Sequence, residues 1–441
     1  MAEILLRNAR LTDPVAAVDG VRDVLFAGGR VVHVADCISR AEALAVIGAQ
    51  EAELTVVDAD GLWLWPGLVD VHVHFREPGF TRKETLRTGS QAAAAGGYTT
   101  VVCEPNTEPP LDSVALARAL AEQADRDAVV NVYFKAAMTK GRRGREPVDM
   151  AALRKERRVV AFSDDGDPVV DPAVIEAVCR AAAGCGVLLT PHCEDSPRAL
   201  EEMKRGLDPG FRLAEDYRNE SNYVERDLEL SSKCGCRIHF SHVSLARSVD
   251  AIMRFRSRSG AACTASFEVT PHHLLLCRAD FPAGAAPTVN PPLRSSEDRE
   301  ALQQALVAGS ADVVASDHAP HTREDKAAGA SGLVGLETTL GLVLTHFVAE
   351  GRLTPSDAVQ LLSLSPARLF RLPAGTLRPG APADAVLIDP ELEWTVRAEE
   401  FRSKSRNTAF EGRRLRGRAA ATYVAGREVF AAPDFEGRKA T

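Results

Sequence analysis

The chain of 441 residues lacks several features that would assign it to a class of proteins. It has no apolar run long enough to span a bilayer and no apolar signal region near residue 1, so we expect no membrane association and no secretion. A net charge of −8 gives no basic excess for binding nucleic acid. The nine cysteines are scattered and odd in number, which predicts reduced thiols in a cytoplasmic protein.

Motifs for two common kinds of catalytic site are also missing. No glycine-rich loop stands before a helix in the context that phosphate binding requires, so nucleotide binding is not indicated. No motif supports a Cys-His or Ser-His nucleophile. Cys193 adjoins His192, but neighbouring residues on a strand face opposite ways, which argues against this pair.

The most informative stretch is VDVHVHFREPG, residues 69–79. Its alternating valines predict a strand, and the alternation places Asp70, His72 and His74 on one face. Two imidazoles two residues apart on a rigid strand can reach one metal ion. A buried strand that happens to carry two histidines explains this motif equally well, so further ligands are needed to decide.

The pattern along the chain divides it into two domains. Residues 1–65 and 373–431 read as short strands and turns, and we expect them to form one composite β-sandwich domain. Residues 66–372 alternate apolar runs with amphipathic segments of helical period, which predicts an α/β fold of the (β/α)8 TIM-barrel type. The sequence predicts a loose tail for residues 432–441.

Polar residues recur where the barrel strands should end. Active sites of such barrels lie at the carboxyl ends of the strands. A single histidine there is usually a structural residue, but five such ends beside the HxH motif favour a metal site. Imidazole and carboxylate ligands suit Zn²⁺, and the implied chemistry is hydrolytic. The strand-end residues are Asp164 and Asp165, His192, His242, His272 and His273, and Asp317 and His318.

Eight motifs in order give the sequence a specific resemblance. They are HVHFREPG (72–79), EPNTEPP (104–110), AMTKG (137–141), FSDDG (162–166), PHCED (191–195), VTPHHL (269–274), NPPLR (290–294) and SDHAPH (316–321). Together they resemble the bacterial type I dihydroorotases of the amidohydrolase superfamily. The resemblance runs from about Leu5 to about Val429.

The resemblance implies a zinc enzyme that interconverts N-carbamoyl-L-aspartate and L-dihydroorotate in pyrimidine (UMP) synthesis, with one or two zinc ions. Zinc-bound hydroxide would attack the cyclic amide, and Asp317 would serve as general base and acid. Matching the family's spacing assigns the bridging carboxylate to Asp165, with Asp164 as a supporting group. The implied metal ligands are His72, His74, Asp165, His192, His242 and Asp317.

The resemblance also implies a substrate pocket. The residues expected there are His74, Arg76, Asn106, Asn290, His321, Ser331 and Gly332. Many relatives carry an aromatic residue where this chain has Ser331. Plainer roles exist as well: Arg76 could pair with Glu77 or Glu84. Of His272 and His273, one is expected only to support the site, and neither to bind metal.

Two other functions fit parts of the pattern. Hydantoinases, dihydropyrimidinases and allantoinases are related cyclic amidases, but they usually bridge their metals with a carboxylated lysine, and VVAFSDDG contains none. An inactive homologue that assembles with aspartate transcarbamoylase would have lost ligands that this chain retains. For an active enzyme, the resemblance still allows such a complex, and we expect a homo-oligomer, a dimer or larger.

Overall fold

The structure is a computed structural model that describes residues 3–48, 54–194, 220–259 and 265–440. Two sheets organise it: an eight-stranded parallel sheet from the middle of the chain and a nine-stranded sheet from both ends. Within these residues, no helix combines the length and the apolar character needed to cross a bilayer.

The parallel sheet is the predicted (β/α)8 barrel, and this prediction is confirmed. Each strand pairs with the next along the chain, from β6 to β13. The barrel closes through a bridge between Val73 and His318, where the His74 N–H donates to the His318 carbonyl at 2.9 Å. The strands are β6 Leu68–Val73, β7 Tyr98–Cys103, β8 Asn131–Ala137, β9 Val159–Ser163, β10 Leu188–Leu189, β11 Arg237–Phe240, β12 Ala265–Val269 and β13 Val313–Val314.

The second sheet joins the two ends of the chain, as the sequence predicts. It is continuous through β1, which pairs with β2, β4 and β5, while β5 pairs with β14 from the C-terminal part. The strands are β1 Glu3–Asp13, β2 Val18–Ala27, β3 Arg30–Ala35, β4 Leu54–Asp58, β5 Trp63–Pro66, β14 Ala385–Thr395, β15 Arg414–Val424, β16 Arg427–Ala431 and β17 Lys439–Ala440.

The expectation of a loose C-terminal tail is wrong for the described residues. Pro433–Arg438 form a short 3-10 helix, and β17 pairs antiparallel with β4. Phe435 is buried in the apolar core of the second sheet. The polar composition of the tail did not indicate this packing, because the packing depends on one aromatic side chain, Phe435, and on the free edge of β4.

Most helices connect the barrel strands and cover the outside of the barrel, whereas the first helix packs against the second sheet. Two of them, α11 and α12, continue as π-helical segments, Leu344–Val348 and Gln360–Leu364. The helices are α1 Arg40–Ile47, α2 Leu86–Ala95, α3 Val114–Asp127, α4 Met150–Leu153, α5 Pro172–Cys185, α6 Glu220–Cys234, α7 Ala246–Ser259, α8 Pro271–Leu275, α9 Ser296–Val307, α10 Arg323–Ala327, α11 Leu336–Val343, α12 Pro355–Val359 and α13 Ser365–Phe370.

Strand alternation places polar side chains inside the barrel. On β11 and β12, Ile238, Phe240 and Phe267 belong to the large apolar cluster shared with the helices. Successive strand residues face opposite ways, so the alternate residues point to the other side, where His239 contacts both Ser266 and Glu268. The interior therefore contains a polar layer, formed by Glu104, Lys135, His239, Ser266 and Glu268, all of them buried.

Candidate metal centre and active site

The structure brings all six predicted ligands into one buried cluster. His72 Nε2 lies 3.3 Å from Asp165 Oδ1, and His74 Nε2 lies 3.2 Å from Asp317 Oδ1. His192 Nδ1 is 2.9 Å from His242 Nε2, and both rings lie 3.6 Å from Asp165 Oδ1. The side chains converge from β6 and from the residues that follow β6, β9, β10, β11 and β13.

Two of these residues hold backbone conformations that side chains disfavour. His242 has a φ of 35° and Asp317 a φ of 46°, and Arg76 nearby has a φ of 61°. Left-handed conformations outside glycine cost free energy and concentrate at functional sites. The turns after β6, β11 and β13 thus aim side chains into the barrel mouth at a cost in stability.

The cluster has a strong electrostatic bias towards ionised carboxylates. Burial alone would raise the pKa of the Asp165 carboxyl, but the neighbouring rings of His242 and His72 outweigh burial and hold that pKa well below its ordinary value. Burial opposes ionisation of Asp317 too, yet the His74 hydrogen bond and the charge of His72 lower its pKa. Both carboxylates are therefore ionised at neutral pH.

The donor set fits a metal ion. Two groups of side chains, His72, His74 and Asp317, and His72, Asp165 and His242, each offer ligand atoms within 4.8 Å of one another. His72 Nε2 and His242 Nδ1 are buried without a hydrogen-bond partner among the described residues. A buried polar atom without a partner is costly, and a metal ion would satisfy His72 Nε2 among imidazole and carboxylate donors.

The two neighbouring aspartates have separate surroundings. Asp164 accepts hydrogen bonds from the N–H groups of Met138 and Thr139 at 2.8 and 3.1 Å, and from the Thr139 hydroxyl. Asp165 instead faces His72, His192 and His242. The arrangement matches the expected division between a supporting Asp164 and a bridging Asp165, whose role as a ligand stays a prediction.

Arg76 lies beside the metal cluster in a positively charged corner. Its Nε donates to the Pro320 carbonyl at 3.2 Å, and its Nη2 lies 3.2 Å from His321 Nε2. Lys83, which the sequence analysis did not identify, places Nζ 3.3 Å from His321 Nδ1. Among the described residues, Arg76 forms no ion pair with Glu77 or Glu84, so the plainer role considered for it is not observed.

Burial shapes the charges of this corner. Burial lowers the pKa of the Arg76 guanidinium to about 10, which leaves it charged at neutral pH. Burial, followed by the positive charges of Arg76 and Lys83, lowers the pKa of His321 to about 3, so its ring is neutral. The corner therefore carries two cations around one neutral imidazole. Lys83 also pairs with Asp325 at 3.5 Å, whereas Arg76 forms no ion pair among the described residues and can bind an anionic group.

Two of the other predicted substrate residues, Asn106 and Asn290, contact the predicted ligands. Asn106 accepts from or donates to two ligands: its Oδ1 lies 2.9 Å from His74 Nδ1, and its Nδ2 donates to Asp165 Oδ2 at 3.0 Å. Asn290 Nδ2 lies 3.0 Å from His192 Nε2. Gly332 donates its N–H to the Thr288 carbonyl, and Ser331 beside it is exposed.

The remaining histidines separate into structural and unassigned residues. His273 contacts the Thr270 hydroxyl at 2.8 Å and the Pro291 carbonyl at 3.1 Å, so it supports the turn. His272 is buried, and its Nε2 has no hydrogen-bond partner in the described part of the chain. His318 is part of the strand closure and lies 3.6 Å from Glu84. Asp195 of the PHCED motif falls outside the described residues.

The polar layer below the cluster was not predicted from the sequence. Glu268 contacts His72 and His239, and Lys135 forms a fully buried ion pair with Glu104. Their sequence signal is a polar residue inside an apolar strand, as in SFEV, YFKA and RIHF. Because the Lys135 ammonium is held by Glu104, this lysine does not take the place of a metal-bridging carboxylated lysine.

Comparisons with known proteins agree with this geometry. The model of the amidohydrolase family matches residues 63–429. A protein named dihydroorotase from Pelotomaculum thermopropionicum is 40% identical over 97% of this chain and 98% of its own length. The dihydroorotase of Bacillus caldolyticus is 42% identical over 86% and 90%, respectively. Among solved structures, the L-hydantoinase of Arthrobacter aurescens has a TM-score of 0.82 at 26% identity, covering 98% of this chain and 96% of that one.

Proposed function

Since the chain belongs to the amidohydrolase family, we propose that it is a dihydroorotase, which reversibly cyclises N-carbamoyl-L-aspartate to L-dihydroorotate and water in pyrimidine biosynthesis. Relatives named dihydroorotase at about 40% identity over nearly the whole chain support this activity. The six converging ligands support a metal-dependent hydrolase acting on a cyclic amide.

The observation that carries the choice of substrate is the positive corner of Arg76 and Lys83 beside the ligand cluster. Dihydroorotate bears a carboxylate on its ring, whereas hydantoin and dihydrouracil bear none. A guanidinium offers paired donors that match a carboxylate. A neutral ring would leave the buried Arg76 without that partner, which penalises the wrong substrate.

The metal would be zinc, which His72, His74 and Asp317 and, together with Asp165, His192 and His242 would hold. Imidazole-rich donor sets with carboxylates favour Zn²⁺ over Mg²⁺ or Ca²⁺. When bound, the metal supplies Lewis-acid chemistry, since it polarises a carbonyl and lowers the pKa of water.

The chain's own residues supply binding and proton transfer. The Arg76 guanidinium would hold the substrate carboxylate and thereby fix the orientation of the ring. In the hydrolytic direction, Asp317 would accept a proton from the attacking water and pass it to the leaving amide nitrogen; cyclisation reverses these roles. Its lowered pKa keeps it available as a base at neutral pH.

A hydantoinase-type activity is the second candidate, and the similarity to the L-hydantoinase structure favours it. It has two difficulties: a neutral substrate leaves Arg76 unpaired, and an aspartate, Asp165, stands where those relatives carry a lysine. A cytoplasmic location, self-association and a complex with aspartate transcarbamoylase stay predictions from the sequence.

The test is an ultraviolet assay on purified protein, with dihydroorotate, dihydrouracil and hydantoin as substrates and with zinc measured on the same sample. We expect turnover of dihydroorotate far above that of the two neutral rings. Equal or better turnover of a neutral ring would transfer the assignment to the second candidate.

A further inference from the structure

We propose that Glu268 is a positioning residue for the metal centre, because one buried carboxylate orients ligands from both halves of it. The inference rests on the proposed metal-dependent function. Glu268 lies on β12 with no exposed surface, below the ligand cluster. Its carboxylate touches the predicted ligands and not the metal or substrate position itself, so any effect on the metal centre must be exerted through those ligands.

Three contacts occupy the Glu268 carboxylate. Oε1 lies 2.6 Å from Nδ1 of His72 and accepts the backbone N–H of His242 at 3.1 Å. Oε2 lies 3.1 Å from Nε2 of His239. His72 belongs to one predicted group of ligands around Asp317, and His242 belongs to the other group around His192. A single side chain thus fixes a residue of each group.

These contacts determine where the protons of the two imidazoles lie. An ionised carboxylate only accepts hydrogen bonds, so His72 Nδ1 and His239 Nε2 must both carry hydrogen. The other nitrogen of neutral His239, Nδ1, then accepts from the Ser266 hydroxyl at 2.8 Å. When the His72 ring is neutral, its lone pair is therefore on Nε2, and this atom faces Asp165 and Asp317 without a hydrogen-bond partner among the described residues. A metal ligand needs this tautomer.

The contact with His242 acts on the backbone instead. His242 adopts a φ of 35°, which side chains disfavour, and its N–H is directed to Glu268 Oε1. This hydrogen bond helps to hold the turn that aims the His242 ring at Asp165. Without this acceptor, the proton on His72 Nδ1 and the backbone turn at His242 would both lose the contact that holds them in place.

Two substitutions of similar volume separate positioning from simple packing. In Glu268→Met the acceptor is lost, so both ligands lose their support. In Glu268→Gln the amide oxygen can still accept from His72, while the amide N–H₂ faces His239. His239 can adapt by donating from Nδ1 to the Ser266 hydroxyl and accepting at Nε2. The Gln variant should therefore retain most of the positioning, whereas a role in filling space would be served by either residue.

The experiment titrates the metal-stripped full chain with Zn²⁺ in competition with a chromophoric chelator, with circular dichroism to verify folding. Loss of a residue that orients a metal ligand typically weakens metal affinity about 10- to 100-fold. We expect that loss in Glu268→Met and recovery of most of it in Glu268→Gln. Glu337→Met is the matched control, since Glu337 accepts backbone N–H groups of Arg402 and Ser403, away from the ligands, and its loss should leave zinc affinity unchanged.

Folded Glu268→Met protein with the natural zinc affinity would overturn the inference, as would a Gln variant that binds as weakly as the Met variant. If Glu268→Met does not fold, Glu268→Asp replaces it: the carboxylate withdraws by one methylene, and unchanged affinity there would equally overturn the inference. A natural chain that binds no zinc would instead refute the proposed metal-dependent function on which the inference rests.

Discussion

Arg76 should decide which ring the enzyme accepts, and Arg76→Met tests this directly. The methionine keeps much of the side-chain volume but removes the charge and its hydrogen bonds. The guanidinium is buried, contacts Pro320 and His321 and remains charged at neutral pH. Losing a hydrogen bond to a charged group costs about 1.5–3 kcal/mol, which corresponds to roughly a 10- to 150-fold loss in kcat/KM.

The assay compares kcat/KM for dihydroorotate, dihydrouracil and hydantoin in the natural protein and in Arg76→Met. The loss should affect dihydroorotate, while the two neutral rings should change little, because neither offers a carboxylate to Arg76. Arg118→Met is the matched control: Arg118 is an exposed arginine that pairs with Glu156, and its loss should leave all three values unchanged. A uniform loss on all three substrates would show that Arg76 supports the fold of the site and does not select the ring.

Three further predictions concern single side chains. Asp165→Ala should remove far more bound metal than Asp164→Ala, and metal analysis showing equal loss would reject the bridging assignment. Asp317→Asn should reduce turnover about 100-fold or more while substrate binding survives; near-normal turnover in steady-state assays would place the base elsewhere. Burial raises the pKa of Asp384 to about 6, so its stabilising contribution is complete below about pH 4 and is lost as the pH rises through 6. The difference in the free energy of unfolding between the natural protein and Asp384→Asn should therefore fall by at most about 3 kcal/mol between about pH 4 and 6. Urea denaturation of both proteins measures it, and a difference that does not change with pH would contradict this prediction.

The sequence predicted those parts of the site that follow from strand ends. In a parallel barrel, the carboxyl ends of all strands meet at one face, so residues after β6, β9, β10, β11 and β13 must converge. This rule and the family motifs predicted that His72, His192, His242 and Asp317 meet, and the structure brings their side chains together. Their roles as ligands stay predictions. The family's spacing, and not the alternation of the strand, assigned the bridging role to Asp165 and the supporting role to Asp164.

The sequence did not reveal contacts between side chains that lie inside different strands. Glu268, His239 and Lys135 each stand alone within an apolar run, and nothing in one strand states which residue of the next strand it meets. Lys83 was not predicted as a site residue, because it lies beyond the HFREPG motif and only the folded chain brings it next to His321. The pairing of β17 with β4 depends on a free strand edge, which composition does not record.

We propose that the metal centre hydrolyses dihydroorotate and that Arg76 beside it binds the carboxylate of the ring. The most direct test measures the loss of dihydroorotate by ultraviolet absorbance and the zinc content on the same purified sample, before and after chelation. The account predicts one or two zinc ions per chain, turnover that disappears with the metal and turnover that returns when Zn²⁺ is restored. Zinc-loaded protein that hydrolyses dihydrouracil or hydantoin but leaves dihydroorotate intact would contradict it.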